Sequence, residues 1–150
     1  MSARIPPIIQ AAISGVLGWS LSTISPFLAF TSAWRFLPVC ILITAGAAIL
    51  VVAIGAFVRA KTTVNPLVPE QAETLVTSGL YLISRNPMYL AMALALTGGA
   101  LLLGNLAAFF GPTLFVGLIT QFQIKPEERA LLTKFGAAYQ DYRRRTRRWL

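Results

Sequence analysis

The uncharged run from Asn86 to Ile124 constrains this chain most. One membrane crossing takes roughly 20 mostly apolar residues, so the run is too long for one and about right for two. A helical hairpin there returns the chain to the face it left. Polar clusters bound the run on both sides: Arg85-Asn86-Pro87-Met88-Tyr89 before it and Pro126-Glu127-Glu128-Arg129-Ala130-Leu131 after it. The hairpin brings the two clusters to one membrane surface.

Composition agrees with that reading. Of 150 residues, 56% are hydrophobic and only 12% charged, and the mean hydropathy is +0.69. These values belong to integral membrane proteins. Four stretches are apolar enough to cross: 8–30, 36–57, 88–103 and 106–124. The last two are short, which predicts tilt or a locally thin bilayer. The first is long, follows only Arg4 and lacks a small-residue cleavage site, so it reads as a retained span and not a signal peptide. The expected fold class is all-α and polytopic, with about four transmembrane helices, a hairpin of the third and fourth, and a C-terminal amphipathic cytoplasmic helix.

The net charge of +8 is uneven. Arg143, Arg144, Arg145, Arg147 and Arg148 crowd the last residues, and Arg59 and Lys61 follow the second span. A basic excess marks the cytoplasmic side, which predicts a multi-pass protein of the cell (inner) membrane with both termini cytoplasmic and Arg35 on the far face. Beside a membrane, the arginine run reads as an orientation signal and an anchor for anionic lipid headgroups; no nucleic-acid partner is expected. Cys40, the one cysteine, cannot form an internal disulfide. There is no histidine, which removes the usual proton shuttle and the commonest transition-metal ligand. No metal is expected.

The chain divides into a two-span N-terminal packing hairpin (1–58) and a core (59–150) within one structural domain. Gly15, Gly18, Ser20, Ser22 and Ser25 in the first span, and Gly46, Ala47, Ala48 and Gly55 in the second, suit close helix approach in lipid. Pro26 kinks or ends the first span. The polar connection 61–86 is long, and long loops are often functional. Within it, 75–81 reads as a short extended or turn segment, where Gly79 allows a backbone conformation or a ligand approach that a Cβ would block. Gly98-Gly99 allows tight contact or an open backbone beside a bound molecule. Gly104-Asn105 signals a turn, and Gly111-Pro112 predicts a bend in the fourth span. Pro126 suits the first turn of a new helix, whose Leu132, Phe135, Tyr139 and Tyr142 share one face. Gly136 costs that helix stability, which predicts a contact needing a flat surface.

Each polar residue has an ordinary role and a functional one. Glu127 and Glu128 fit helix-start electrostatics, yet boundary carboxylates facing a bundle interior mark function. Adjacent on a helix, they point about 100° apart, so one can face the loop while the other pairs with Arg85, Lys125 or Arg129. Arg85 can snorkel or clamp a carboxylate or phosphate with its planar fork. Tyr89 can sit in an interfacial aromatic belt.

Together, 75–81, Ser84-Arg85-Asn86-Pro87-Met88-Tyr89, the 126–131 cluster, Phe135-Gly136, Tyr139, Tyr142 and Arg148-Trp149 resemble the membrane methyltransferases of the isoprenylcysteine carboxyl methyltransferase group and its phospholipid methyltransferase relatives. The likeness covers about residues 60–150; the first two spans match only in kind. It implies S-adenosylmethionine as methyl donor on the cytoplasmic side and a lipophilic or lipid-like acceptor (carboxylate, thiol or amine) arriving from the bilayer, with membrane lipids as partners. Carried over, Gly79 and Tyr81 line the cofactor entrance, and Arg85, Asn86, Pro87 and Tyr89 form the pocket with Tyr139. Arg85, Glu127 and Glu128 are the implied catalytic set, with the glutamates holding the cofactor's polar end or the acceptor. Many members carry histidine where this chain has Asn86; an amide is no base near neutral pH, so Asn86 takes a hydrogen-bonding role only. Two alternatives stand beside this: an NADPH-dependent membrane reductase of the sterol or enone type, and a non-enzymatic membrane scaffold.

Overall fold

In a computed structural model that describes residues 5–61 and 73–150, the chain is built from helices, with no β-strand among the described residues. Arg4 and residues 62–72 of the polar connection singled out above lie outside them. Five helices follow in order: α1 Pro7–Ile24, α2 Phe36–Arg59, α3 Pro87–Leu103, α4 Phe110–Ile119 and α5 Lys125–Arg145. α1, α2 and the stretch containing α4 are long and apolar enough to cross a membrane, and α3 is a shorter apolar helix. The protein is a multi-pass membrane protein.

Proline sets three of the helix boundaries. Pro7 and Pro87 open α1 and α3, where the missing N–H is not needed. Pro26 disfavours helical geometry at Ser25, and α1 accordingly ends at Ile24, shorter than the span expected to reach 30. The hairpin turn is closed by Gly104 in the left-handed region (φ 63°) and by Asn105, whose Oδ1 accepts the Ala107 N–H at 2.8 Å. Gly111-Pro112 makes no bend: both lie in the first turn of α4. Gly111 is needed for contact instead. A Cβ there would stand 2.7 Å from the Ser14 carbonyl, and one on Gly18 would stand 2.6 Å from the Ala108 carbonyl.

α3 is the centre of the bundle. Ala91 and Gly98 face Gly46 and Ile43 of α2, while Leu96 meets Gly15 of α1. The two N-terminal spans, expected to pack as a hairpin, do not form one: α2 packs on α3, and α1 packs on α4 and α3.

The largest departure from expectation lies after α4. Pro126 does not begin a new helix. The backbone stays helical through a single wide turn, Thr120–Ile124, in which the Lys125 N–H reaches back to the Thr120 carbonyl. Proline has no N–H to give and its ring crowds the carbonyl four residues back; a widened turn relieves both and keeps the helix going. Glu127 and Glu128 therefore sit inside a helical run that is continuous from Leu106 to the break at Gly136, and a free helix N-terminus does not explain them. That run is longer than the roughly 20 residues one crossing takes, and its charged residues begin at Lys125, so α5 extends beyond the apolar layer. α5 is itself broken at Gly136 (φ 50°, ψ −121°). The glycine serves this left-handed backbone and not a flat contact, since nothing lies within 4 Å of where its Cβ would be.

Candidate active site

Glu128 is held from two sides. Arg85 Nη2 donates to its Oε1 at 2.8 Å, while Arg148 donates through Nε to Oε1 at 3.0 Å and through Nη2 to Oε2 at 2.7 Å. The Arg85 and Glu128 side chains are each only 10% exposed. Burial works against charge on Glu128, but hydrogen bonds from Arg148 and Arg85 outweigh it and hold the carboxyl below its ordinary value. The same pairing raises Arg148, so Glu128 and Arg148 stay charged. Arg85 also donates to the carbonyls of Thr146 and Arg143, yet its buried Nε has no partner.

Glu127 points elsewhere. Its Oε1 accepts from the Tyr89 hydroxyl at 2.6 Å and from Gln123 Nε2 at 2.7 Å. Gln123 is fully buried and lies in the wide turn. The two glutamates thus divide as their angular spacing predicts, one onto guanidiniums and the other onto a phenol and an amide.

The chain's last residues close the arrangement. The Arg85 N–H donates to the Arg147 carbonyl at 2.9 Å, and Asn86 Nδ2 donates to the Arg148 carbonyl at 2.9 Å. Trp149 packs on the apolar cluster of Tyr89, Phe115, Ile119 and Ile124. Behind the site, Tyr81, Tyr139 and Tyr142 are buried with Ala53, Ala56 and Val76. The Tyr142 hydroxyl donates to the Tyr81 carbonyl at 2.7 Å, and Phe57 meets the Tyr81 ring edge-on at 5.4 Å. Burial pushes the Tyr139 phenol up to about 12, with the Glu128 charge adding to it, and burial raises Tyr81 and Tyr142 further. These tyrosines remain protonated at neutral pH.

Of the residues singled out in the sequence, Arg85, Asn86, Pro87, Tyr89, Glu127 and Glu128 come together, with Tyr139 and Tyr81 within electrostatic reach of the glutamates. Gly79 stands apart. It is exposed at the head of the turn Gly79–Leu82, its φ of 61° explains the glycine, and no atom lies within 4 Å of where its Cβ would be. Sequence reasoning gave no role to Gln123, and placed Arg148 in the headgroup anchor and in the family resemblance without assigning it a partner. Gln123 had a signal: it is four residues before Glu127, the spacing at which helical side chains meet.

The sequence model of the phospholipid methyltransferases matches residues 34–138, well over half of the chain. The chain belongs to the phospholipid methyltransferase family. Family membership carries methyl transfer to a lipid-like substrate, and favours an enzyme over a scaffold. The match takes in α2 as well as the hairpin and the first part of α5. An uncharacterised protein of Haemophilus influenzae (strain Rd) is 46% identical over 63 residues, which is 42% of this chain and 100% of that protein. No solved structure matches the chain.

Proposed function

We propose that this phospholipid methyltransferase relative uses S-adenosylmethionine to methylate a lipophilic or lipid-like acceptor at the cytoplasmic face of the cell membrane, with both of its termini on that face. The observation that carries the reading is the buried, partnerless Nε of Arg85 beside the Arg85–Glu128–Arg148 cluster. A donor left unsatisfied in a buried site is costly, and an anionic ligand group would relieve it. The donor set fits the amino-acid end of the methyl donor: guanidiniums for a carboxylate, and carboxylates for an ammonium or sulfonium. Arg85, Glu127 and Glu128 would hold it, with Tyr89 and Tyr139 beside them and Arg148 behind Glu128. When bound, S-adenosylmethionine supplies a methyl group already activated on a sulfonium.

What remains for the protein is alignment and exclusion of water. Proton removal is left to the Glu127 carboxylate or water. Tyr81, Tyr139 and Tyr142 are held protonated, Asn86 is an amide, and the Glu128 carboxylate is tied to two cations with its basicity lowered. The site therefore suits acceptors that arrive deprotonated, a carboxylate or a thiolate.

The test is ligand binding to the full chain in lipid nanodiscs, titrated with S-adenosylhomocysteine and, separately, with NADPH. Saturable binding of the first and none of the second is expected. Binding of NADPH alone would transfer the protein to the reductase reading. A labelled methyl donor offered with membrane lipid extracts then identifies the acceptor by its mass.

A further inference from the structure

One residue near the end of the chain touches both walls of the site. Through its side chain, Arg148 grips both oxygens of Glu128 on α5 at 3.0 and 2.7 Å. Through its backbone carbonyl it accepts from Asn86 Nδ2 at 2.9 Å and from Ser84 Oγ at 3.4 Å, at the entrance to α3. Its neighbours pin it on either side: the Arg147 carbonyl accepts the Arg85 N–H, and Trp149 is packed into the apolar cluster.

The rest of the basic tail behaves differently. Arg143, Arg144, Arg145 and Arg147 are exposed. Arg144 meets Asp141 at 3.5 Å with side chains 74% and 59% exposed, a pair of the kind that contributes little. Arg148 is 35% exposed against a Glu128 that is 10% exposed. Within a run that reads as one headgroup anchor, a single guanidinium has been drawn inward.

We infer that Arg148 is a positioning residue for methyl transfer, orienting Glu128 with its side chain and the Asn86 amide with its carbonyl. This rests on the methyl-donor reading above. A carboxylate held on one oxygen by Arg85 and on both by Arg148 cannot rotate about its last bond. The Asn86 amide, donating to the Arg148 carbonyl, is likewise fixed with Oδ1 as its acceptor. The first orientation depends on the fork of the guanidinium; the second depends on the tail backbone, which the grip on Glu128 holds together with the Arg85–Arg147 bond and the Trp149 packing. Lysine supplies the charge without the fork.

The experiment uses the full chain in nanodiscs and S-adenosylhomocysteine as probe, comparing Arg148→Ala, Arg148→Lys and the charge-matched control Arg144→Ala. Arg148→Ala is expected to weaken binding at least about tenfold and Arg148→Lys to recover only part of the loss, while Arg144→Ala stays within about twofold of the parent. Millimolar methylguanidinium is expected to restore binding to Arg148→Ala several-fold and to leave the parent unchanged, which loss of folding would not allow. The inference is overturned if Arg148→Ala binds like the parent, if lysine replaces arginine fully, or if Arg144→Ala is equally damaging. Should the parent itself bind no S-adenosylhomocysteine, the methyl-donor reading falls. Amide exchange then decides the positioning claim: exchange in 84–89 speeds up in Arg148→Ala while α2 is unchanged, and unaltered exchange in 84–89 overturns it.

Discussion

At the end of the bundle that carries the α3–α4 turn, neutral groups make most of the ties. The Phe30 N–H donates to the Gly104 carbonyl at 2.8 Å, and Asn105 Nδ2 donates to the carbonyls of Ser25 and Ser22 at 2.9 and 3.2 Å. One cation, Arg35, lies there and reaches the Phe30 carbonyl at 3.3 Å. At the opposite end, the start of α3 is tied to α5 and the tail by two arginines and a glutamate. Joining helix ends evidently needs only amides, a glycine and backbone carbonyls. Buried charge is an expensive way to do the same job, because desolvation offsets most of the attraction. The difference teaches that the charged end is built for more than closure.

The sharpest way to break this comparison is Glu128→Ala. It leaves two guanidiniums facing each other without a counter-ion, one of them largely buried. Removing one partner of a buried pair costs about 3–5 kcal/mol, and methyl transfer should fall by at least about a hundredfold per folded molecule. Denaturant melts and turnover of the folded fraction give the two values. Parent-like activity would show that the charged cluster is only a brace.

The opposite end gives a smaller effect of the opposite kind. In Gly104→Ala the new Cβ collides with Arg35 Nη1 and stands 2.9 Å from the Phe30 carbonyl, at a φ of 63°. Strain and collision together should lower stability by about 2–3 kcal/mol. Ligand affinity of the remaining folded protein should not change. A loss of affinity that exceeds the loss of folded protein would show the two ends to be coupled.

The two ends were unequally legible in the sequence. At the turn end the Gly104-Asn105 turn and the second and third spans were legible, because these are local signals, and α2 and α3 lie within two residues of expectation. The end of α1 at Ile24 and the straight Gly111-Pro112 were not. At the charged end, Arg85, Asn86, Tyr89 and the glutamates were legible as a cluster, but their partners were not. Arg148 is 20 residues from Glu128 and 62 from Asn86, and a basic run read as summed charge hides which guanidinium turns inward. Pro126 misled for another reason. It is a helix-start signal in isolation, but widening one turn is cheaper than leaving the carbonyls at the end of α4 without partners at the membrane edge. Small-residue stripes likewise announce that a helix will be approached closely, without saying by which neighbour. Hence α1 and α2 were expected to pair with each other, when Gly18 matches α4 and Gly46 matches α3.

Tyr89→Phe sharpens the comparison within the charged end. It removes one bond to the Glu127 carboxylate and leaves the Gln123 bond and the Arg85–Glu128–Arg148 cluster intact. A hydrogen bond to a charged group is worth about 1.5–3 kcal/mol. The smaller figure is expected here because Gln123 still holds Glu127, so activity should drop roughly tenfold with the fold preserved. Measured as kcat/KM, a loss as large as that of Glu128→Ala would mean that Glu127 leads the chemistry and Glu128 supports it.

Acid should separate the two ends with the mildest perturbation. The Glu128 carboxyl is lowered from its ordinary value of 4.5 by its two arginines, so the unfolded chain takes up this proton at a higher pH than the folded one. Its contribution to stability is therefore complete above about 4.5 and is lost as pH falls through the lower folded value. Single-tryptophan variants report each end: Trp149 in the apolar cluster beside the charged site, and Trp34 near the turn. The Trp149 signal should hold from neutral pH to about 4.5 and loosen only below it, before Trp34 responds. In Glu128→Gln that acid step should be absent, since an amide still accepts from both arginines but no longer titrates. A step of unchanged size in Glu128→Gln would assign the acid response to another group and remove Glu128 from the centre of the charged end.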